Sequence, residues 1–243
     1  MRSLLAAFRF LTRLPLPGPE TRAQDISRAV GWFPLVGAAV GAATAGVFRL
    51  GLRLWPAPVA ALLAVAAGLL FTGGFHEDGA TDATDGLGGG WTRERVLEIM
   101  KDSRIGAYGA MALWCLLTLR WAALVALDRR ALLALPLAMA LGRWSIAFVL
   151  KALPPIGQGL AKEVHRGLDG WPYAGSTLLA TLAVAGARFL GLPHALPAAF
   201  AAAAVALAWT IYLRRRLGGH SGDLLGAGNQ LVEAAALLVL IVR

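Results

Sequence analysis

The sequence predicts an all-α fold, a polytopic membrane helix bundle with about seven transmembrane helices and an N-terminal interfacial helix. Of the 243 residues, 58% are hydrophobic and 15% are charged, whereas about 25% of the residues in a soluble domain carry a charge. The mean hydropathy is +0.64. The hydrophobic residues are also gathered into long runs, which is typical of helices that cross a bilayer.

Seven apolar segments carry this prediction, because each approaches the roughly 20 residues that span about 30 Å of hydrocarbon. They are residues 29–49, 57–75, 105–127, 131–152, 174–192, 195–213 and 224–242. In the first segment Gly37, Gly41 and Gly46 predict close packing against another helix. We therefore expect a single integral-membrane domain over residues 1–243, with an arm at 1–28 and the helix bundle at 29–243.

The N-terminal arm is predicted to be amphipathic, because apolar residues recur at helical spacing opposite three arginines. The apolar positions are Leu4, Leu5, Phe8, Leu11 and Leu14, and the basic positions are Arg2, Arg9 and Arg13. Prolines then break the pattern, at Pro15, Pro17 and Pro19. A helix that lies in the membrane interface fits this pattern, and a buried arm packed on the bundle is the alternative.

The net charge of +9 would suggest nucleic acid as a partner of a soluble protein. Here the basic residues stand singly or in short clusters between apolar segments, so membrane lipid is the expected contact and no nucleic acid is expected. Most of the 23 Lys and Arg residues lie on the cytoplasmic side if the N-terminus is cytoplasmic. The loops 76–104, 151–173 and 214–223 then share that face with nearly all acidic residues.

The run FHEDGATDATDGLGG, residues 75–89, is the densest negative charge in the chain. On a helix Asp78, Asp82 and Asp85 stand at i, i+4 and i+7 and share one face, with Glu77 nearby. Such carboxylates repel one another unless a cation neutralises them, and hard oxygen ligands favour Mg²⁺ or Mn²⁺ over zinc. A solvated acidic loop is the alternative, but charge at the end of a membrane helix is costly and usually functional.

A second polar block follows at residues 98–109. Lys101 and Arg104 are one helical turn apart and could neutralise phosphate oxygens, with Arg acting as a bidentate ligand. Asp102 adds a carboxylate, and we assign Lys101, Asp102, Ser103 and Arg104 to substrate binding. The alternative is that these side chains only snorkel from the end of the segment that begins at 105.

Two arginines lie within apolar segments, where an isolated charge needs a partner. Arg143 is well inside the fourth segment, and its partner is predicted to be either an acidic residue or a phosphate of the substrate. Arg120, in the third segment, competes for the same partners, and we give it mainly a structural or interfacial role.

A third polar block, residues 217–229, is rich in glycine and continues to an acid inside the last segment. His220 and Asp223 are three residues apart, while Asn229 and Glu233 are four apart. This pattern predicts a second half-site that binds the metal, positions a hydroxyl group or supplies a base. A histidine in a loop is otherwise usually no more than polar surface.

An acidic Mg²⁺-type site with basic phosphate ligands suits phosphoryl or phosphodiester transfer, in which metal neutralisation and positioning supply most of the catalysis. The pattern Asp82-x-x-Asp85-Gly86 resembles part of the CDP-alcohol phosphotransferase motif, but the second half of that motif is missing downstream. An ion-coupled transporter also uses carboxylates in the membrane, but predicts charges at mid-segment and two related halves.

The ordered motifs resemble the cobalamin synthase family, whose members are adenosylcobinamide-GDP ribazoletransferases. The matching stretches are His76-Glu77-Asp78-Gly79 with Asp82 and Asp85-Gly86, Met100 to Gly109, Gly218 to Ala227, Phe10 to Pro15 and Phe33 to Gly37. Small departures occur at Ala80-Thr81, where Leu-Ala is common, and at Ser221, where Thr is common. The resemblance covers nearly the whole chain in order.

This resemblance implies an enzyme of the bacterial inner membrane, with its active site on the cytoplasmic face. It joins adenosylcobinamide-GDP to α-ribazole, or to α-ribazole 5′-phosphate, and releases GMP. Magnesium held by Glu77, Asp78, Asp82 and Asp85 would bind the pyrophosphate; Lys101, Arg104 and Arg143 would neutralise phosphate charge; His220 or Asp223 would accept the hydroxyl proton. The sequence leaves open whether the chain forms a homo-oligomer or associates with other cobalamin-assembly enzymes.

Overall fold

The computed structural model describes residues 2–18, 21–156 and 160–242. Helices make up 81% of the structure, and no strand occurs in the described ranges, so the predicted all-α class is confirmed. The helices are α1 Arg2–Leu11, α2 Ala23–Ala29, α3 Phe33–Gly51, α4 Ala57–Thr72, α5 Phe75–Gly89, α6 Arg93–Ile99, α7 Ala107–Leu127, α8 Ala131–Ala152, α9 Leu160–Arg166, α10 Gly170–Phe189, α11 Ala195–Arg216 and α12 Gly222–Leu240.

Four helical stretches among the described residues are long and apolar enough to cross a membrane. They are Gln24–Gly51, Ala107–Ala152, Ala195–Arg216 and Gly222–Leu240, and a bent pair, α4 with α5, brings the count to five. The predicted membrane bundle is thus supported, while the count of seven is not confirmed. The difference arises partly because a 3-10 turn, Asp128–Arg130, joins α7 and α8 into one helical stretch.

A sharp corner between α4 and α5 sets the position of the acidic helix, since the two helix axes differ by 90°. Gly73 and Gly74 make this corner, with φ angles of 70° and 67°. Two consecutive left-handed residues are readily adopted only by glycine. The predicted segment 57–75 therefore stops three residues early, at Thr72, and the acidic run leaves the direction of α4.

The core is built around α8 and α12. Helix α8 packs on α3, α10 and α11, and α12 packs on α5, α8 and α11. Gly41 lies against α8 so closely that a Cβ atom there would be 2.7 Å from the Leu135 carbonyl oxygen. A Cβ atom on Gly37 would come even closer to the Met139 carbonyl oxygen, whereas one on Gly46 would have no neighbour within 4 Å. The predicted close helix packing is confirmed at Gly37 and Gly41 and is wrong at Gly46.

The N-terminal arm packs on the bundle through one side of α1. Ala6, Ala7 and Leu11 are buried, and the ring of Phe10 stacks on Phe33 with a centroid distance of 5.9 Å. After α1 the chain turns back, and the Arg13 N–H donates a hydrogen bond of 2.8 Å to the Phe71 carbonyl oxygen in α4. The arm is therefore held beside the corner that begins α5.

Candidate active site

A cavity of about 1010 Å³ lies between the N-terminal arm, the corner of α4 and α5, and the beginning of α7. Its charged and polar lining includes Arg9, Arg13, Asp78, Asp82 and Ser103. Its apolar lining includes Phe10, Leu69, Leu70, Phe75, Ile105, Leu113 and Leu117. The cavity therefore combines three acids of the first polar block, since Glu77 also lines it, with one polar residue of the second block and two arginines of the arm.

The acidic run is helix α5, so its predicted helical spacing is confirmed. Asp78 is exposed and Asp82 is half-buried, and both line the cavity. Asp223, in the first turn of α12, also lies nearby, since its backbone packs against Gly79, the residue that follows Asp78. The structure thus brings a residue of the third polar block to the acidic helix.

Glycines allow this approach of α5 to α12. A Cβ atom on Gly79 would be 3.0 Å from the Cα atom of Asp223, which is closer than ordinary van der Waals contact. A Cβ atom on Gly226 would be 3.3 Å from the His76 carbonyl oxygen. Small residues at such a crossing let two helix backbones come together, so Asp223 lies beside the turn that carries Asp78.

Asp85 has a different environment from the other two aspartates. Its carboxylate accepts hydrogen bonds of 2.8 Å from the backbone N–H groups of Gly106 and Gly109, at the beginning of α7. The residue is buried and does not line the cavity. A carboxylate at a helix N-terminus satisfies N–H groups that have no partner within the helix and complements the helix dipole.

Glu77 is buried with one oxygen engaged and one without a partner. Its Oε1 accepts hydrogen bonds from Arg120 Nη1 at 2.8 Å and from Gln230 Nε2 at 3.2 Å. Its Oε2 has no hydrogen-bond donor among the described residues, although Glu77 lines the cavity beside Asp78. An unsatisfied buried carboxylate oxygen is costly, and a cation in the cavity would satisfy it.

The donor chemistry of the cavity would suit a magnesium ion. The carboxylates of Asp78 and Asp82 and the unpartnered oxygen of Glu77 are hard ligands, and magnesium takes its remaining ligands from water and phosphate. Within the described ranges, no group of three or more His, Cys, Asp or Glu side chains has converged into a metal-binding arrangement. The site therefore fits an ion held by few protein ligands together with a substrate phosphate.

The buried Glu233 connects both intramembrane arginines. Arg143 forms an ion pair with its Oε1, and Arg120 Nη2 lies 3.2 Å from its Oε2. Asn229 Nδ2 donates to the same Oε1 at 2.9 Å, and Arg143 Nη2 is 3.4 Å from His76 Nδ1. Glu77 and Glu233 thus balance two arginine charges in the core. Between the two partners that the sequence leaves open for Arg143, the structure provides the acidic residue.

The second polar block lies at the surface before α7. Arg104 forms a bidentate pair with Asp102, with contacts of 2.6 and 3.0 Å, and its N–H groups hold the pKa of Asp102 down to about 2. Lys101 is exposed, while Ser103 is the member of the block that lines the cavity. The structure therefore places Ser103 at the site and leaves Lys101 and Arg104 beside it.

His220 lies in the loop between α11 and α12 and is fully buried. Its backbone N–H donates a hydrogen bond of 3.0 Å to the Pro154 carbonyl oxygen, and its ring Nε2 is 3.5 Å from His165 Nδ1. Burial, together with the neighbouring His165, lowers the pKa of His220 to about 4. Neither His220 nor Asp223 lines the acidic cavity, but Asp223 lies beside the turn of α5 that carries Asp78.

Arg9 and Arg13 line the cavity but were assigned by sequence only to the amphipathic arm. Their helical spacing placed them on a polar face, and nothing in that spacing says which other segment the face meets. The available signal was the motif Phe10 to Pro15, which belongs to the resemblance but carries no obvious chemistry apart from Arg13.

Comparison with known proteins assigns the chain to a family. The family described as cobalamin-5-phosphate synthase matches residues 3–241. A protein of Ralstonia nicotianae named adenosylcobinamide-GDP ribazoletransferase is 40% identical, over 99% of this chain and 95% of its own length. Proteins of the same name from Rhizobium etli and Leptothrix cholodnii are each 41% identical, over 96% and 98% of this chain and 94% of their own lengths.

No solved structure matches this chain. The family match covers all three polar blocks and the N-terminal arm, so the complete cavity lies within the matched region. The chain is therefore a member of the cobalamin-5-phosphate synthase family.

Proposed function

We propose that the chain catalyses the last step of cobalamin synthesis, in which adenosylcobinamide-GDP and α-ribazole, or its 5′-phosphate, give adenosylcobalamin, or its 5′-phosphate, and GMP. The relatives named adenosylcobinamide-GDP ribazoletransferase, which align with nearly the whole chain, support this reaction. The observation that carries the proposal is that Asp78, Asp82, Arg9 and Arg13 line one cavity. A pyrophosphate needs both kinds of group, a cation site and arginine ligands.

The reaction exchanges one phosphorus–oxygen bond for another. A ribose hydroxyl oxygen of α-ribazole bonds to the phosphorus nearest cobinamide, and the bond from that phosphorus to the bridging oxygen breaks. GMP leaves with the bridging oxygen and the electron pair. Asp223 is the candidate acceptor of the hydroxyl proton, because it lies beside Asp78 and Asp82 on a different helix. His220, the other candidate, lies away from the cavity in a buried loop.

Asp78, Asp82 and the free oxygen of Glu77 would hold magnesium, with manganese as an alternative. The ion would neutralise pyrophosphate charge in the transition state. Asp85 supports this site indirectly, since it fixes the beginning of α7 against α5 through Gly106 and Gly109. We therefore separate Asp85 from the metal ligands and give it a positioning role.

Cationic residues complete the proposed phosphate site. Arg13 is exposed at the cavity wall and, unlike the buried arginines, forms no ion pair within the described part of the chain. Lys101 stands two residues before Ser103 and would supply further positive charge at the edge of the site, whereas the charge of Arg104 is paired with Asp102. Arginine binds phosphate through two parallel hydrogen bonds, so Arg13 is the preferred ligand of the pyrophosphate.

Arg143, Asn229 and Glu233 would serve the substrate indirectly. Their side chains are buried and bonded to one another, which fixes α12 against α8. Because Asp223 begins α12, this network controls where that carboxylate stands relative to α5. We place the whole site at the cytoplasmic face of the bacterial inner membrane, as the distribution of Lys and Arg residues supports.

A substrate comparison tests the proposed reaction against a CDP-alcohol phosphotransferase and a transporter. Purified protein in vesicles is given adenosylcobinamide-GDP with α-ribazole, or a CDP-activated lipid, and nucleotide release is measured. We expect GMP from the first pair and no CMP from the second. Release of CMP alone would support the CDP-alcohol class, and the absence of both products would contradict any nucleotide transfer.

A further inference from the structure

A second charged cavity, of about 390 Å³, lies between α1 and α2 on the far side of Arg9. Its lining includes four arginines, Arg2, Arg9, Arg22 and Arg28, and one acid, Asp25. We call it the arginine groove. Among the described lining residues, the guanidinium groups of Arg2, Arg22 and Arg28 repel one another, and a single carboxylate does not balance them.

Asp25 is the one acid in the described lining of the groove. The Asp25 carboxylate accepts a hydrogen bond of 3.1 Å from the backbone N–H of Arg22, so it already serves the N-terminus of α2. Arg2, Arg22 and Arg28 are exposed, and their side chains form no ion pair in the ranges that the structure describes. Arginines arranged in this way bind phosphate oxygens with bidentate geometry.

Arg9 connects the groove to the acidic cavity, because its side chain lines both. Its guanidinium donates to the Leu16 carbonyl oxygen at 2.6 and 2.9 Å and to the Gly18 carbonyl oxygen at 3.0 Å. These bonds hold the side chain in the wall between the two cavities. The two cavities therefore share the Arg9 side chain as a common wall.

We propose that the arginine groove binds the 5′-phosphate of α-ribazole 5′-phosphate while the ribose hydroxyl lies in the acidic cavity. This inference rests on the proposed function and adds a specificity site to it. The family description, cobalamin-5-phosphate synthase, names a product that retains this phosphate. A phosphate on an acidic lipid headgroup has the same chemistry, so the test must separate these two sources.

The test compares two nucleophiles in one protein. The double variant Arg22→Gln/Arg28→Gln is reconstituted in vesicles of phosphatidylcholine alone or with added phosphatidylglycerol. Adenosylcobinamide-GDP is then offered with α-ribazole or with its 5′-phosphate. We expect KM for the phosphorylated nucleophile to rise at least about tenfold, with kcat nearly unchanged, because charged hydrogen bonds to phosphate are lost. KM for unphosphorylated α-ribazole should stay within about twofold, which also shows that the variant folds.

Arg215→Gln is the matched control, because Arg215 is an exposed arginine that lines neither cavity. This control should leave both KM values unchanged. Equal KM values for the double variant and the wild type, or equal changes with both nucleophiles, would overturn the inference. Losses of activity that are equal for the two nucleophiles and that disappear in vesicles of phosphatidylcholine alone would assign the groove to lipid instead. If the wild-type protein forms no GMP with either nucleophile, the proposed function itself fails.

Discussion

Asp85 accepts two charge-assisted hydrogen bonds from the N-terminus of α7, and its replacement tests whether it supports the fold. In Asp85→Asn only one side-chain oxygen can accept, and the favourable charge at the helix N-terminus is lost. We expect the variant to lose about 2 kcal/mol of unfolding free energy, or about 4–8 °C in melting temperature in detergent.

Asp128→Asn is the control for this measurement, because Asp128 is exposed and Asn tolerates its positive φ angle of 47°. The control should melt within about 1 °C of the wild type. Equal melting temperatures for both variants would contradict a role of Asp85 in holding α7.

His220 makes stability depend on pH, because the pKa of its buried ring is lowered from 6.5 to about 4. Between these values the unfolded chain binds a proton that the folded chain does not, so stability falls as pH decreases from 6.5 towards 4. Below that window both states are protonated and the loss is complete. The expected total is up to roughly 3 kcal/mol.

Melting curves at several pH values test this effect. Between pH 6.5 and 4 the free energy of unfolding should fall less in His220→Asn than in the wild type, by the contribution of the His220 ring. The matched control is His194→Asn, a substitution of the histidine that lies between α10 and α11. An unchanged pH dependence in His220→Asn would show that the ring does not remain neutral on folding.

At the scale of elements, the packing of α3 on α8 depends on Gly41. A Cβ atom there would be 2.7 Å from both the Leu135 carbonyl oxygen and the Pro136 Cα atom, and neither backbone atom can move freely. We expect Gly41→Ala to destabilise the protein by about 1–3 kcal/mol through overpacking, as measured by thermal melting.

Gly46→Ala, on the same helix, is the matched control. Nothing lies within 4 Å of a Cβ atom at this position, so alanine should be neutral or stabilise the helix by up to about 1 kcal/mol. Equal melting temperatures for Gly41→Ala and Gly46→Ala would show that the stability of the protein does not depend on close packing of α3 on α8.

Much of the helical order follows from the sequence, since apolar length and periodicity determine it. The predicted segments 131–152 and 195–213 correspond to α8 Ala131–Ala152 and α11 Ala195–Arg216. The corner at Gly73 was not predicted, because two glycines inside an apolar run do not reveal their φ angles. Tertiary packing determines the bend, and the bend turns the acidic helix towards the arm.

The acidic residues of the candidate site were predictable from the sequence, whereas the residues that contact them were less so. Helical spacing alone placed Asp78 and Asp82 on one face, and the cavity lies on that face. The pairing of Glu77 with Arg120 joins residues 43 positions apart, and local spacing carries no information about such contacts. The same limit explains why Arg13 was not recognised as a cavity residue.

For the whole molecule, the Lys and Arg distribution predicts a cytoplasmic N-terminus and a cytoplasmic active site. Single cysteines test this orientation in a Cys115→Ala background, since Cys115 is the only native cysteine. Arg53→Cys should react with a membrane-impermeant maleimide on intact spheroplasts, and Arg95→Cys should react only after lysis. Both positions are exposed, so accessibility within the protein does not limit labelling. The reverse labelling pattern would contradict the orientation.

The central claim for the whole molecule is that Asp78 and Asp82 form the catalytic cation site of the cavity they share with Arg13. The most direct test is GMP release from adenosylcobinamide-GDP and α-ribazole by reconstituted Asp78→Asn and Asp82→Asn, with Asp128→Asn as the control. For Asp78→Asn and Asp82→Asn we predict a loss of at least about 100-fold in kcat, with melting temperatures equal to that of the wild type. The control should keep full activity. Full activity in Asp78→Asn and Asp82→Asn would contradict the account.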